Sequence, residues 1–217
     1  LYGYFSRFGL TEKTGVDYPG EVKGWLPTTD QWSSSSIATI PFGQGVSVTP
    51  LQLSRALAAI ANGGSLVTPH FLAEVPESSE AMAEWPVSDG VITPETAQAM
   101  RIVLTDVVNE GTGSAAAVAG YQVAGKTGTA QKARTDGRAG YEAGKYVASF
   151  SGFIPAEDPR ILIIVTIDEP ANAIYSTAGI RWTSTLIAGQ RYTLTVSYKA
   201  DGVNSFGYAL NQDSRSD

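Results

Sequence analysis

Apolar and polar positions along the chain fall into three textures, each predicting a different kind of element. Leu1, Tyr4, Phe5 and Phe8 recur at helical spacing from the first residue, so the chain reads as a fragment that opens inside a helix. Leu53, Ala56, Leu57, Ile60 and Ala61 form one apolar face of a helix that Thr49 caps, Pro50 opens and Gly63-Gly64 ends. The same grammar returns with Thr93 as cap, Pro94 and Glu95 in the first turn, and Gly111 as stop. Its buried stripe is predicted to be Met100, Val103, Leu104 and Val107. Ser114 is expected to cap a short Ala-rich turn ending at Gly120, after which Tyr121, Gln122 and Val123 begin a strand that runs into Lys126.

The second texture is extended. Residues 145–154 and 160–168 are two β-rich runs separated by Pro155-Ala156-Glu157-Asp158-Pro159, the pattern of an antiparallel hairpin with residues 161–165 fully buried. The third texture starts near residue 180, where Tyr192, Leu194, Val196 and Tyr198 alternate with polar residues in a period of two. That is a half-exposed strand, on which residues 204–210 are expected to pair back. Helices followed by a run of strands predict an α+β fold, an antiparallel sheet packed with helices, with a β-rich C-terminal tail. The expected division is residues 1–179 and residues 180–217.

Composition narrows the functions. The 217 residues are 43% hydrophobic and only 17% charged, with 23 glycines and 11 prolines, which suits a turn-rich mixed fold and excludes a coiled coil. The net charge is -6 and the 15 Lys and Arg do not cluster, which argues against a nucleic-acid partner. With no cysteine and a single histidine, His70, no metal site and no cofactor is expected. The longest apolar run, residues 161–167, is far short of the roughly 20 residues that span a bilayer. Any membrane anchor is therefore expected outside this sequence.

The chemistry concentrates at Lys126-Thr127-Gly128-Thr129, which offers a cation, two hydroxyls and a glycine along one strand. Lys126 can attract a carboxylate, Thr127 and Thr129 can donate hydrogen bonds to it, and Gly128 lets another backbone approach, so that a peptide adds as an extra strand. Two decoys stand beside it. Lys13-Thr14-Gly15 repeats three of the letters inside a Pro/Gly-rich connection over residues 13–27 and reads as structural. Gly120 to Thr127 matches the P-loop pattern, but a P-loop needs a strand before it and a helix after it, whereas a helical turn precedes this one and a poorly periodic stretch follows. His70 reads as structural, and Asp168-Glu169 as solvated at a strand tip. Gly43-Gln44-Gly45 reads as a turn entering a helix, and Trp25, Trp32, Phe42 and Trp85 as core or loop anchors.

Successive blocks of residues 1–175 resemble the class B penicillin-binding proteins, which crosslink peptidoglycan in septal or elongating cell wall. The blocks are FGLTEKTGVDYPGE, GWLP, SIATIPFGQGVSVTPLQLSRALAAIANGG, VAGKTGTAQK and YVASFSGFIPAEDPRILIIVTIDEP. The resemblance implies a serine-type D,D-transpeptidase acting on peptidoglycan stem peptides ending in D-Ala-D-Ala, with β-lactams acylating the same serine and other cell-wall synthesis proteins as partners. It implies that Lys126, Thr127 and Thr129 hold the substrate or antibiotic carboxylate, and that the Thr129 backbone N–H forms half of the oxyanion hole. It also implies work on the outer face of the bacterial cytoplasmic membrane.

The departures matter equally. The family pattern also needs Ser-x-x-Lys and Ser-x-Asn, and neither is present; the run Ser33 to Ser36 has no asparagine at the right spacing. No catalytic nucleophile is assigned, so the chain by itself is expected to be inactive. A non-catalytic β-lactam sensor is the alternative, a P-loop NTPase a weaker one, and β-lactamase or carboxypeptidase is disfavoured by the GWLP and FGQG blocks. Ile174-Tyr175 resembles an aromatic position beside the family's site, but the closing helix expected after it is replaced by the alternating tail.

Overall fold

Each long helix forms where a threonine cap precedes a proline. The computed structural model describes residues 1–72, 85–138 and 140–170, and the backbone of 192–195 and 207–210. In chain order the helices and strands are α1 (Tyr2–Arg7), α2 (Ser34–Thr39), α3 (Pro50–Ala61), β1 (Leu66–Val67), β2 (Val87–Ser88) and α4 (Pro94–Asn109). They continue with β3 (Ala124–Ala133), β4 (Tyr141–Ile154), β5 (Ile161–Asp168), β6 (Tyr192–Thr195) and β7 (Gly207–Leu210). At the start of α3 the Thr49 hydroxyl accepts from the Gln52 amide at 3.1 Å while Gln52 Oε1 accepts from the Thr49 amide at 3.0 Å, satisfying two otherwise orphaned donors. Thr93 caps α4 through the Thr96 amide at 3.2 Å.

β3, β4 and β5 form one antiparallel sheet in that order, with Lys126 opposite Ser151 and Gly128 opposite Ser149. One cluster joins Leu57 and Ala61 of α3 and Leu104 of α4 to Ala124 and Phe153 of the sheet. A second joins Val108 of α4 and Ala116 to Val123 and Phe150. Val123 and Ala124 are consecutive, so the start of β3 is gripped from both sides while its later residues run outward. This is the α+β arrangement of antiparallel sheet and packed helices that the pattern predicts. In the tail, β6 pairs antiparallel with β7, Tyr192 opposite Leu210, as the alternation suggests. Val196, Tyr198 and Ile174-Tyr175 lie outside the described residues.

Several expectations are corrected. The buried stripe of α4 is Ala97, Leu104, Thr105 and Val108, whereas Met100 and Val103 are exposed. The stripe is rotated because α4 approaches its neighbours through small residues, and Thr105 is neutralised by donating to its own helix at Arg101 O, 2.8 Å. Residues 162–165 are half-buried and Ile161 is 36% exposed, because β5 is the outer strand of this sheet. β3 begins at Ala124, since Gly120 turns the chain with φ 82° and Tyr121 bridges back to Val118. Ser114 sits inside a single 3-10 turn that Gly113 caps, and β4 starts at Tyr141, ahead of the expected 145. Trp25 and Phe42 are exposed and anchor no core. Trp32 donates to Pro27 O at 2.9 Å, and Trp85 stacks on His70 at 4.7 Å.

The largest surprise lies in α3, where Gln52 and Arg55 are buried among apolar residues. Gln52 is fully hydrogen-bonded: its Oε1 accepts from Gly24 N at 2.9 Å as well as from Thr49, and its Nε2 donates to Leu10 O and Glu12 O at 3.2 and 2.6 Å. Arg55 Nε donates to Val67 O at 2.9 Å, and its guanidinium lies 3.7 Å from Glu12. These two side chains fasten the element-free stretch around residues 10–24 to the helix.

Candidate functional site

Lys126-Thr127-Gly128-Thr129 lies in the middle of β3, the other outer strand of the three-stranded sheet. Strand alternation sends Thr127 and Thr129 to one face and Lys126 and Gly128 to the other. Lys126 and Thr129 are exposed, Thr127 and Gly128 half-buried. Lys126 bridges the separation by curling along its own strand, where Nζ donates to Thr127 O at 2.8 Å. One cation and two hydroxyls therefore border the same stretch of strand edge, where backbone groups not taken by β4 are available to an added chain.

The local sequence explains why this stretch is straight and approachable. Gly128 faces Ser149 across the ladder, and a Cβ on Gly128 would stand 2.6 Å from Ser149 Oγ, closer than real Cβ contacts. Only a glycine leaves the Ser149 hydroxyl where it is, 3.5 Å from Gly128 O. Thr127 is held by a neighbour that sequence reasoning missed: Thr112 Oγ1 lies 2.8 Å from Thr127 Oγ1. The only signal pointing to this spot was Gly111, read as a helix stop, which marks the turn but not the hydroxyl beside it.

Beyond Thr129 the strand is clasped. The β3–β4 register shifts between Gln131 and Ala133, a bulge that sets off Lys132. Lys132 Nζ reaches past β4 to the end of β5, 2.9 Å from Asp168 and 2.8 Å from Glu169. Lys145 also approaches Glu169, at 3.3 Å, and Glu142 at 3.2 Å. The hydrogen bonds that Lys132 donates to Glu169 and then to Asp168 raise its ammonium above its ordinary value, and the bonds from Lys132 and Lys145 hold Glu169 below its own. Glu169 takes φ 48°, a left-handed backbone that its bonds hold in place. Asp168 and Glu169 are thus ion-paired strand ends rather than free carboxylates. The Gly43-Gln44-Gly45 turn leans on the same end of the hairpin, Gln44 Nε2 donating to Gln131 Oε1 at 3.1 Å and Gly45 N to Tyr141 Oη at 3.0 Å.

Both decoys resolve. Lys126 and Thr127 are mid-strand residues with strand continuing to Ala133, so Gly120 to Thr127 cannot present a loop opening a helix to phosphate. Thr14 of the other copy is buried, with its amide and hydroxyl both donating to Glu21 Oε1 at 2.7 Å and the Gly15 amide donating to Oε2 at 3.1 Å. Lys13-Thr14-Gly15 lines an open hollow of ≈ 350 Å³ with Glu12, Arg55 and Trp85, but the Thr14 amide and hydroxyl and the Gly15 amide are already committed to Glu21. His70 is likewise structural, its Nδ1 3.0 Å from Thr68 O. Among the described residues no group of three or more His, Cys, Asp or Glu could hold a metal ion, and no helix is long and apolar enough to cross a membrane.

The comparisons with known proteins agree with one another. The penicillin binding protein transpeptidase domain family matches residues 1–183. Penicillin-binding protein PbpB of Mycolicibacterium smegmatis is 40% identical over 188 residues, covering 82% of this chain and 29% of that protein. The probable peptidoglycan D,D-transpeptidase PenA of Neisseria flavescens is 37% identical over 177 residues, covering 81% and 42%. Penicillin binding protein 3 of Mycobacterium tuberculosis, solved in complex with aztreonam, superposes with a TM-score of 0.73 at 40% identity, over 78% of this chain and 40% of that one. The matched part of this chain covers between 29% and 42% of the length of these three relatives. With a family match over most of its residues, and a sheet edge carrying Lys126-Thr127-Gly128-Thr129, this chain belongs to the penicillin-binding protein transpeptidase family.

Proposed function

We propose that the chain is the substrate-holding C-terminal part of a serine-type peptidoglycan D,D-transpeptidase. It works on the outer face of the bacterial cytoplasmic membrane, with the nucleophile in a segment outside residues 1–217. The reaction is acyl transfer: a serine attacks the D-Ala-D-Ala carbonyl, D-Ala leaves, and an amine of a neighbouring stem peptide takes the acyl group. Lys126, Thr127 and Thr129 bind the terminal carboxylate, and the Thr129 backbone N–H contributes to the oxyanion hole. Residues 1–179 belong to the transpeptidase domain and residues 180–217 form a separate β-rich tail.

The observation that carries this reading is the position of Lys126-Thr127-Gly128-Thr129 on an outer strand, with a cation and two hydroxyls bordering one edge. A stem peptide laid along that edge gains backbone hydrogen bonds from β3 and brings its carboxylate to the cation. The relatives named as D,D-transpeptidases and the aztreonam complex of a structural relative support the substrate and inhibitor classes.

The test is fluorescent-penicillin labelling of this chain and of the same chain extended upstream in its coding sequence. Labelling of the extended protein alone, abolished by replacing its Ser-x-x-Lys serine, supports the reading. A stoichiometric covalent adduct on residues 1–217 alone overturns the expectation that the chain is inactive. A folded extended protein that does not label favours a non-catalytic β-lactam-binding role.

A further inference from the structure

We infer that Thr112 is a positioning residue for substrate binding: its hydroxyl donates to Thr127 and thereby turns the Thr127 hydrogen toward the bound carboxylate. The inference rests on the reading that Thr127 binds that carboxylate.

The starting observation is the 2.8 Å separation of the two hydroxyl oxygens. A hydroxyl has one hydrogen and two lone pairs, so a hydroxyl pair can be joined in either of two directions. If Thr127 donated to Thr112, only lone pairs of Thr127 would face an arriving carboxylate, and the contact would be repulsive. If Thr112 donates, the Thr127 hydrogen is free to point at the anion. The chain of two bonds then polarises in one direction, Thr112 to Thr127 to carboxylate, each bond strengthening the next.

The fold keeps Thr112 where this requires it. Beyond α4, Gly111 N and Gly113 N both donate to Val107 O, at 3.1 and 2.9 Å, and Ser114 N donates back to Gly111 O at 3.3 Å. Thr112 is therefore the apex of a turn wound on the last carbonyls of α4. One turn earlier, Val108 packs in the same cluster as Val123, near the start of β3. The turn that carries the Thr112 hydroxyl is thus tied by hydrogen bonds to the helix that grips the strand, rather than standing as a free loop. Among the described residues, no side-chain hydroxyl reaches Lys126 or Thr129 in this way, which makes Thr127 the anchored member of the set.

The experiment is a double-mutant cycle on the upstream-extended, nucleophile-bearing protein. It measures the second-order rate constant for acylation by fluorescent penicillin in wild type, Thr112→Val, Thr112→Ser, Thr127→Ala and Thr112→Val/Thr127→Ala. Thr112→Val keeps the shape and removes the donor; it is expected to slow acylation by about three- to tenfold, the range of one net hydrogen bond. Thr112→Ser restores the rate, and the double variant is no slower than Thr127→Ala alone, because the Thr112 donor acts only through Thr127. Thermal melts of all variants separate misfolding from this effect. If Thr127→Ala slows acylation but Thr112→Val leaves it unchanged, or if the two losses simply add, the Thr112 role is overturned while the carboxylate-binding reading stands. If wild type does not label, or Thr127→Ala has no effect, the carboxylate-binding reading fails and this inference fails with it.

Discussion

The sequence Lys-Thr-Gly occurs twice, at residues 13–15 and 126–128, and the fold treats the two copies in opposite ways. In the first, the threonine is buried, its amide and hydroxyl both spent on Glu21, and the segment has no regular secondary structure. In the second, the same letters lie on an outer strand of the sheet, with the lysine exposed and the threonine hydroxyl linked, among the described residues, to another hydroxyl. The difference lies in what completes the hydrogen bonds. An acidic side chain seven residues on closes the first copy upon itself, whereas the second has β4 on one edge and no further strand of the three-stranded sheet on the other.

The largest contrast is expected from the lysines. In the extended, nucleophile-bearing protein, Lys126→Ala should slow acylation by fluorescent penicillin by about ten- to hundredfold, the loss of one charge-assisted hydrogen bond. Lys13→Ala should leave the rate at the wild-type level. Equal effects of the two substitutions would break the distinction between the copies.

The glycines sharpen it, because each is required for a different reason. Gly128→Ala drives a Cβ to within 2.6 Å of Ser149 Oγ, so the strand or the serine must move, and acylation should fall several-fold. Ser149→Ala added to Gly128→Ala removes the obstructing oxygen and should recover part of the rate. Gly15 has φ 81°, a backbone that L-residues resist, while a Cβ there would meet nothing nearer than Thr68 Cγ2 at 3.7 Å. Gly15→Ala should therefore leave acylation alone and lower stability by about 1–2 kcal/mol, read from urea unfolding.

Next comes Glu21. Burial pushes its carboxyl up, but the hydrogen bonds from Thr14 and Gly15 outweigh burial and hold it below its ordinary value of 4.5. A depressed carboxylate contributes stability that is present above its unfolded value and is lost as pH falls through the folded one. Amide exchange at Thr14 and Gly15 should accelerate in acid, below the ordinary carboxylate value of 4.5. Glu21→Gln should abolish that acid step and lower the melting temperature by about 3 °C. The amides of Thr127 and Thr129 should be indifferent to both changes.

Much of this was legible in the sequence, and the parts that were not share a cause. The caps at Thr49 and Thr93, the hairpin of β4 and β5, and the strand through Lys126 follow from local rules in which one residue constrains its near neighbours. Gln52 and Arg55 escaped because a polar residue within an apolar stripe reads as surface; only partners at 10, 12, 24 and 67 make it a buried hub. The α4 stripe was misread toward Met100 and Val103 because hydropathy ranks them above Ala97 and Thr105, while packing favours the smaller pair. Thr112 was missed for a related reason: its partner is 15 residues away, and nothing local distinguishes it from any threonine in a turn.

The smallest expected effect concerns the clasp beyond Thr129, and it asks where the site ends. Bonds to Glu169 and Asp168 raise the Lys132 ammonium above its ordinary value of 10.5. A raised ammonium contributes stability that is fully present below the unfolded value and is lost as pH rises through the folded one, so this contribution should fade only above about pH 10.5. Glu169 is shifted the other way and should release its lysines only in acid, below 4.5, leaving the clasp constant across the neutral range. The carboxylates it joins are solvent-exposed, so screening makes it salt-dependent and modest. Lys132→Met should lower the melting temperature slightly at low ionic strength and not at all near 1 M salt, where the Debye length is about 3 Å. The informative measurement is amide exchange along β3. Faster exchange confined to Ala133 and Arg134 would mean that the clasp only closes the hairpin end, whereas acceleration reaching Thr129 would carry the site's boundary out to the bulge, since a strand held at one end by α4 and at the other by Lys132 transmits slack between them.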